Sequence, residues 1–548
     1  MGLSRPWRWS GLAAVLAMLG AWWLVGSDEP APGASTTPDL LRLERGNGAE
    51  PDSLDPQLAR IESALTILRD AYEGLTRVAR DGRVEPGVAS AWEVSADGLR
   101  YRFELRPESR WSNGDPVTAE DFVAAWQRLV DPATASPYGQ LLEPVVGAMP
   151  ILRGEAEVDT LGVLADGPHA LEVRLEQPTP YFPSLLSHPS TFPVHRPSLE
   201  AHGRGFAKAG VAVTNGPYVP LQWQVGTQVT AGRNRYFREA ASVQIPLVRY
   251  HHIPDPLTEY TRYRAGDLHV TYTLPNGRMA RLPEAIAGDL QSGPQLGVYY
   301  YGFAVDRPPF AGQPGLRRAL SMVIDRDLLT ARVLGDGEVP AWSWVPPGVD
   351  GYAGPQADWT GWPVERRLAE ARRLYAAAGY SAERPLEVEI AYNKSPLHDR
   401  IALVVSAMWK QHLGVRATLR AEEFRVLRQR IDLREATVFR ASWLADYNDA
   451  YSFLQLLRSG FGINLPRYAN AEYDRLLDDA ALTPDRAHRA QLLAEAEQRL
   501  LDDVPILPLY FYVAKHLVSP RVGGWYANVM NVTYTADLTL DAARSASQ

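Results

Sequence analysis

The chain has 548 residues and a formal net charge of −8, with 46% hydrophobic and 22% charged residues. This length is too great for one ordinary hydrophobic core, so we expect more than one lobe or domain. The composition shows no basic patch, which argues against nucleic acid as a partner. The sequence contains no cysteine. This excludes disulfides, Cys-based metal sites, thiol nucleophiles and lipid attachment through an N-terminal Cys, and we predict no cofactor.

The N-terminal segment has the pattern of an export signal. Arg5 and Arg8 precede a long apolar stretch, as a positive n-region precedes an h-region. The uncharged run 9–27 lies near the lower limit of roughly 17–25 residues for a membrane-spanning helix. We therefore predict residues 1–27 as a signal peptide or a retained N-terminal membrane anchor. Residues 28–39, rich in Pro, Ala, Ser and Thr, are predicted as a flexible linker, and the bulk of the chain is expected in the periplasm.

Strands and helices alternate along the rest of the chain. In the first half, the patterns predict strands at 40–45, 101–105, 170–175 and 268–272, helices at 62–72 and 257–265, helix starts at 118 and 181, loop at 78–92, and strand, loop and strand over 229–250. In the second half, they predict strands at 298–305, 386–391, 415–421, 437–443 and 506–513, with helices at 315–333, 364–378, 398–413, 425–434 and 484–501. This alternation indicates a mixed α/β protein.

The run 440–453 carries the most unusual charge pattern. It places Arg440 and Asp446 six residues apart, with an apolar stretch between them. Residues 437–443 are predicted as a buried strand that ends at an Asp-Tyr-Asn turn. Buried ions cost several kcal/mol unless they are paired. A ligand with opposite charges at its two ends, such as a peptide zwitterion, would supply both partners.

Several motifs, taken in order, resemble one protein family. They lie at 47–50 and 53–56, 72–75, 86–89, 111–122, 126–128, 131–138, 214–218, 325–326 and 443–448. The set resembles the solute-binding proteins of the peptide/nickel type (family 5), which are receptors of ATP-binding-cassette (ABC) importers. Within that family it is most similar to the periplasmic oligopeptide-binding proteins.

The resemblance implies an α/β fold of the two-lobed, periplasmic-binding-protein-like type II, with an extra inserted domain near the N-terminus. We predict lobe I at 40–62, 190–289 and 515–548, the inserted domain at 63–189 and lobe II at 290–514. The implied partners are short peptides of roughly two to five residues, held extended between the lobes, and an inner-membrane ABC peptide permease. A monomer without enzymatic activity is expected.

The resemblance also implies roles for single residues. Asp446 matches the carboxylate that holds the peptide ammonium, and Arg440 and His398 match groups near the carboxylate of ligands of different lengths. The predicted backbone or pocket contacts are Glu50, Ser442, Trp443, Leu444 and Tyr272. Structural roles stay open for the same side chains: a turn cap for Asp446, a core-edge ion pair for Arg440, a helix-start polar residue for His398, and a loop cap or Arg45 partner for Glu50.

Two other functions compete with this interpretation. A cleft enzyme such as a glycosidase or peptidase would also use Trp, Tyr and carboxylates. However, we find no Gly-x-Ser-x-Gly motif, no metal-ligand spacing and no identifiable acid pair. The second alternative is a membrane-tethered receptor for murein or signalling peptides, which a retained anchor would favour. After Tyr272 the chain has Thr-Leu-Pro where close oligopeptide receptors carry asparagines, so ligand contacts in that segment are not carried over.

Overall fold

The computed structural model describes residues 41–541. The predicted export segment 1–27 and linker 28–39 lie outside the described residues, as does the C-terminal end from 542. Within 41–541 no helix combines the length and the apolar character needed to cross a membrane.

The strands are β1 Arg42–Gly46, β2 Thr76–Val78, β3 Val84–Pro86, β4 Ala89–Val94, β5 Arg100–Leu105, β6 Val163–Ala165, β7 Ala170–Arg174, β8 Tyr218–Gln224, β9 Gln228–Arg233, β10 Leu247–His251, β11 Leu290–Phe303, β12 Val339–Pro340, β13 Glu387–Asn393, β14 Arg416–Glu422, β15 Val438–Leu444, β16 Ile506–Leu517, β17 Val522–Gly523 and β18 Thr539–Leu540. The helices are α1 Glu62–Ala71, α2 Ala119–Val130, α3 Ala148–Leu152, α4 Phe182–Leu185, α5 Arg196–His202, α6 Pro256–Arg264, α7 Glu284–Ala287, α8 Pro314–Met322, α9 Arg326–Leu328, α10 Val364–Ala377, α11 Pro396–Leu413, α12 Phe424–Asp432, α13 Tyr451–Leu454, α14 Ala471–Leu482 and α15 Arg486–Asp503.

The first four-stranded sheet has the order β1-β10-β9-β8. The first strand runs parallel to β10, and the other pairs are antiparallel. Leu43, Val248 and Tyr250 are fully buried in the core of this sheet. The alternation predicted at 40–45 is therefore confirmed as a strand with one face in a core.

A second sheet, β4-β5-β7-β6, is antiparallel and packs with α2. That helix begins with a capping box, in which Thr118 and Asp121 bond each other's backbone N–H groups. Its apolar face, which includes Phe122, Trp126 and Leu129, is fully buried. The helix start predicted at 118 is confirmed.

The largest sheet has the order β12-β16-β11-β15-β13-β14. At its centre, β11 lies antiparallel to both β15 and β16. Val298, Tyr299, Tyr301 and Phe303 are completely buried, as expected for a strand covered on both faces. This sheet positions β15 and therefore the charged run that follows it.

Three predicted elements differ from the structure. Residues 268–272 form no continuous strand: Val270 makes isolated bridges to Arg45 and Val518, and the backbone N–H groups of Tyr272 and Thr273 donate to the Glu259 carboxylate. The helix predicted over 315–333 is interrupted at Asp325, whose side chain caps a new helical turn. The predicted loop 78–92 contains β3 and most of β4.

The three large sheets are built from different parts of the chain. The first uses residues 42–46 and 218–251, the second 89–174 and the third 290–517. The predicted domain ranges stay a prediction, although β16 continues to Leu517, three residues beyond the boundary placed at 514.

Candidate peptide-binding cleft

The turn after β15 holds Asp446 in place through its neighbours. The backbone N–H of Asp446 donates to the Ser452 hydroxyl at 3.3 Å. The Asn448 side chain accepts from the Asp350 N–H at 3.0 Å and donates to the Gly82 carbonyl at 2.8 Å. Both ends of this amide are thus used to fix the turn, and the predicted Asp-Tyr-Asn turn is confirmed.

The Asp446 carboxyl is partly buried and has no cation beside it. Within the described chain, no Lys, Arg or His forms an ion pair with it, and its oxygens accept no hydrogen bond. Desolvation first, and the charge of Glu62 second, raise the pKa of Asp446 to about 7. A carboxyl that is held with a raised pKa and no donor is a candidate functional group, since an incoming cation would restore the missing interaction.

The surroundings of Asp446 include residues that the sequence did not single out. Glu62, in the first turn of α1, lies near enough to influence Asp446 and pairs with Arg69 at 2.5 Å. Burial raises the pKa of Tyr138, and the charge of Asp446 raises it further. No local pattern signals that Glu62 lies near Asp446, because the two residues are almost four hundred positions apart in the chain.

Arg440 lies near the middle of β15 and is held by neutral groups. Its Nη1 donates to the Asn393 amide oxygen at 3.2 Å, and its Nη2 donates to the Tyr512 hydroxyl at 3.3 Å. The guanidinium also lies 4.7 Å from the centre of the Tyr299 ring. Its Nε has no acceptor, and in residues 41–541 no carboxylate pairs with it. The core-edge ion pair considered from the sequence is therefore not formed.

His398 lies in the same cluster, in the first turn of α11. Its Nδ1 is 3.2 Å from the Tyr299 hydroxyl. Burial, and secondarily the positive charge of Arg440, lower the pKa of His398 to about 3. The imidazole is therefore neutral at physiological pH, and it can offer a ligand carboxylate a hydrogen bond but no ion pair.

A cavity of about 330 Å³ opens along β15, within the size range of ligand sites. Its lining includes Glu62, Arg69, Tyr272, Gln295, Leu296, Leu397, Ser442, Leu444, Ala445, Tyr510, Tyr512, Lys515 and His516. Of the residues predicted from the sequence, Ser442, Leu444 and Tyr272 are in this wall. Asp446, Arg440 and His398 are not in it, although Ala445, which precedes Asp446, and Tyr512, which accepts a hydrogen bond from Arg440, do line it.

Trp443 and Glu50 do not line the cavity. Neighbouring residues of a strand face opposite ways, so Trp443 points away from Ser442 and Leu444 and packs against the core. The Glu50 carboxylate accepts hydrogen bonds from Trp223 Nε1 at 3.1 Å and from the Gly226 N–H at 2.8 Å. This carboxylate closes a hairpin, as a loop cap does, and the acidic side chains in the cavity wall are Glu62 and Glu338.

One edge of β15 is free along most of its length. All seven residues of β15 pair with β11, but on the opposite side only Val438 and Phe439 pair with β13. Residues 440–444 therefore have no strand on that side within the described chain. A free strand edge between an unpaired cation and an unpaired carboxylate suits an extended, zwitterionic ligand.

Separate α/β sheets, with a cavity along a free strand edge and the unpaired charges of Arg440 and Asp446 next to it, are the features of a ligand receptor. Residues 83–464 match the family described as "Bacterial extracellular solute-binding proteins, family 5 Middle". The chain belongs to this family of solute-binding proteins.

Individual relatives agree with this assignment. The chain is 37% identical over 514 residues to the periplasmic oligopeptide-binding protein OppA of Escherichia coli, covering 92% of this chain and 94% of the relative. The solved structure of the E. coli murein tripeptide binding protein MppA is 35% identical with a TM-score of 0.81, covering 92% of this chain and 99% of the other.

A third likeness is to the crystal structure of Haemophilus influenzae OppA in complex with the peptide RPPGFSPFR. It is 33% identical, with a TM-score of 0.79 and coverage of 92% and 99% of the two chains. The predicted fold class, a two-lobed mixed α/β protein with an extra domain, is confirmed.

Proposed function

We propose that this protein is a periplasmic receptor that captures short peptides in its cleft and delivers them to an ABC-type peptide importer of the inner membrane. The observation that carries the proposal is the free edge 440–444, with Arg440 at one end and Asp446 just beyond the other. The ligands named for the relatives, oligopeptides and a murein tripeptide, are also peptides.

The charges fit the two ends of a peptide. Asp446 would hold the α-ammonium, which every free peptide carries, and Arg440 would meet the carboxylate of ligands of suitable length. The extended part of this run, from Arg440 to Leu444, amounts to roughly 13 Å, and Asp446 follows two residues later in the turn. An extended peptide of three to five residues spans about 10–18 Å, which is of the same order.

The cavity wall would provide the remaining contacts. Backbone groups of 440–444 would pair with the peptide as an added strand, while Ser442 and Leu444 face the ligand. His398, neutral and next to Arg440, would hydrogen-bond a carboxylate that stops short of the guanidinium or passes beyond it. The binding site as proposed comprises Asp446, Arg440, His398, Ser442, Leu444, Tyr272 and Glu62.

A ligand panel tests the proposal. The exported protein is unfolded and refolded to remove bound peptide, and its thermal unfolding is then measured with di- to pentapeptides, a murein tripeptide, free amino acids and sugars. A ligand at about a hundred times its Kd adds roughly 2.7 kcal/mol of stability. We expect stabilisation by peptides. Stabilisation by sugars or amino acids alone would reject a peptide receptor, and stabilisation by the murein tripeptide alone would identify the murein-peptide alternative.

A further inference from the structure

A second and larger cavity lies on the far side of the turn that carries Asp446. It has a volume of about 460 Å³, and Asn448, Asp449 and Ala450 are in its wall. The peptide cleft has Ser442, Leu444 and Ala445 in its wall and none of these three. The run 442–450 is thus shared between two separate cavities.

Aromatic side chains and prolines form much of the wall of the second cavity. Its wall includes Trp92, Tyr101, Tyr181, Tyr352, Pro178, Pro180, Pro183, Pro484 and Leu493. Tyr181 is stacked on Tyr447, with ring centres 5.1 Å apart and planes at 3°, and on Tyr451 at 4.9 Å and 22°. These rigid flat surfaces suit a ligand that is itself made of rings.

The charged groups of this wall are already paired with one another. Arg489 binds Asp449 through two bonds of 2.8 Å, and Arg486 meets Asp350 at 3.1 Å. The Asn448 amide is used at both ends within the protein. An additional ligand charge would therefore lose hydration without gaining a free partner, which is unfavourable in a partly enclosed site.

We propose that this cavity is an accessory site for a small, uncharged compound made of apolar rings, and that its occupation strengthens peptide binding. The wall joins two parts of the chain, 84–184 and 350–493. A ligand between them stabilises the arrangement in which Tyr181 covers Tyr447, and that arrangement fixes the turn holding Asp446. Binding at the two sites is therefore coupled, and the coupling is reciprocal.

Two probes with the same ring system test the chemistry. N-phenyl-1-naphthylamine is neutral and fluoresces in apolar surroundings, and 8-anilinonaphthalene-1-sulfonate adds one anionic group. Titration of the refolded protein is expected to show saturable, one-to-one binding of the neutral probe, with the sulfonate at least about tenfold weaker because its charge finds no free cation. No saturable binding of the neutral probe, or tighter binding of the sulfonate, would overturn the proposal.

A pair of variants on α15 locates the site. Ala490 is in the cavity wall, so Ala490→Trp fills the space, whereas Ala487, three residues earlier and exposed, is not in the wall. We expect probe binding to be lost in Ala490→Trp and kept in Ala487→Trp, with the thermal unfolding of both variants still cooperative. Equal probe binding by both variants would place the probe elsewhere.

The coupling between the two sites is tested by measuring tripeptide affinity with and without the neutral probe. Saturating neutral probe is expected to tighten tripeptide binding by about fivefold in the wild type and in Ala487→Trp. Displacement of the probe by tripeptide would mean that it occupies the peptide cleft, and unchanged peptide affinity would refute the coupling. Probe binding is measured without peptide, so it remains a test of the accessory site even if the proposed peptide function fails.

Discussion

The carboxyl group of Asp446 lies close enough to Glu62 for the charge of Glu62 to raise its pKa, yet only Glu62 has a cation, Arg69, as its partner. Asp446 is therefore an acid whose environment favours the neutral form until a cation arrives. In the proposed function that cation is the ammonium group of a peptide.

The first prediction concerns stability without ligand. The folded-state pKa of Asp446, about 7, lies above its ordinary value of 3.8. Its contribution to stability is present below that ordinary value and is lost as the pH rises through about 7. Asp446→Asn removes the charge, so we expect it to stabilise the unliganded protein at pH 8 by on the order of 1–3 kcal/mol, as measured by urea unfolding. We expect the same variant to weaken peptide binding by about tenfold or more.

Glu497→Gln is the matched control for that variant. The pKa of Glu497 is also raised to about 7 by burial. Its carboxylate, however, accepts hydrogen bonds from the backbone of Trp344 and Val345 and from the Tyr352 hydroxyl. The amide oxygen of Gln can still accept both backbone bonds, which go to Oε1, but its NH2 group cannot accept the Tyr352 hydroxyl proton, so we expect Glu497→Gln to be destabilising through the loss of that one bond. Destabilisation of similar size in both variants would show that Asp446 has a structural role.

The second prediction is the pH dependence of affinity. Asp446 must lose its proton to pair with an ammonium, so peptide binding releases a proton below pH 7. Each pH unit below the pKa of Asp446 costs about 1.36 kcal/mol, while the peptide α-amino group, with a pKa of about 7.7–8.0, is only about half protonated at pH 8. The two effects together should raise the Kd about fivefold between pH 8 and pH 6. His398, with its pKa near 3, does not titrate in this range. Calorimetry in buffers of different ionisation enthalpy measures both the Kd and the number of protons released on binding. A Kd that does not change with pH would contradict the role of Asp446 in binding the ammonium group.

The third prediction concerns the effect of Glu62 on the pH dependence of peptide affinity. Glu62→Gln removes the negative charge beside Asp446 and leaves the Arg69 guanidinium without its partner. Both changes lower the pKa of Asp446, so the pH at which affinity begins to fall should shift to more acidic values. Glu50→Gln is the control, because Glu50 bonds Trp223 and Gly226 outside the cavity wall, and its pH profile should match that of the wild type. An unchanged profile for Glu62→Gln would remove Glu62 from the site.

The fourth prediction assigns the other end of the peptide. Arg440→Gln should weaken the binding of peptides whose carboxylate reaches the guanidinium and leave the corresponding peptide amides unaffected. A charge-assisted hydrogen bond contributes roughly 1.5–3 kcal/mol, so the two ligands should respond differently by about tenfold or more. Measuring the wild type and Arg440→Gln with both the peptide acid and the peptide amide separates two effects. One is the interaction between Arg440 and the peptide carboxylate, and the other is any general loss of packing around Tyr299. An equal loss of affinity for acid and amide would assign Arg440 a structural role.

Much of this architecture could be predicted from local patterns. The alternation of apolar and polar residues predicted β1, β5 and β7, and the polar first turn predicted the start of α2. These patterns exist because each element buries one face in a core. The strand predicted at 268–272 is reduced to isolated bridges at Val270, and just beyond them the Glu259 carboxylate accepts the N–H groups of Tyr272 and Thr273. A side chain that bonds the backbone in this way leaves no periodic signal in the sequence.

The site was predictable only in part, for similar reasons. Asp446 and Arg440 stood out because charges interrupt an apolar strand. Glu62 was missed because its proximity to Asp446 depends on how α1 packs beside a turn almost four hundred residues later. Trp443 was included with Ser442 and Leu444 by the resemblance, although strand alternation sends its side chain the other way.

The most direct test of the account is calorimetric titration of the refolded protein at pH 8 with a tripeptide and with its N-acetylated form. Acetylation removes the ammonium while keeping the backbone, the side chains and the carboxylate. The account predicts that acetylation weakens binding by about tenfold or more, the effect of losing one charge-assisted hydrogen bond, and that Asp446→Asn abolishes the difference. Equal affinity of the wild-type protein for the two peptides would contradict it.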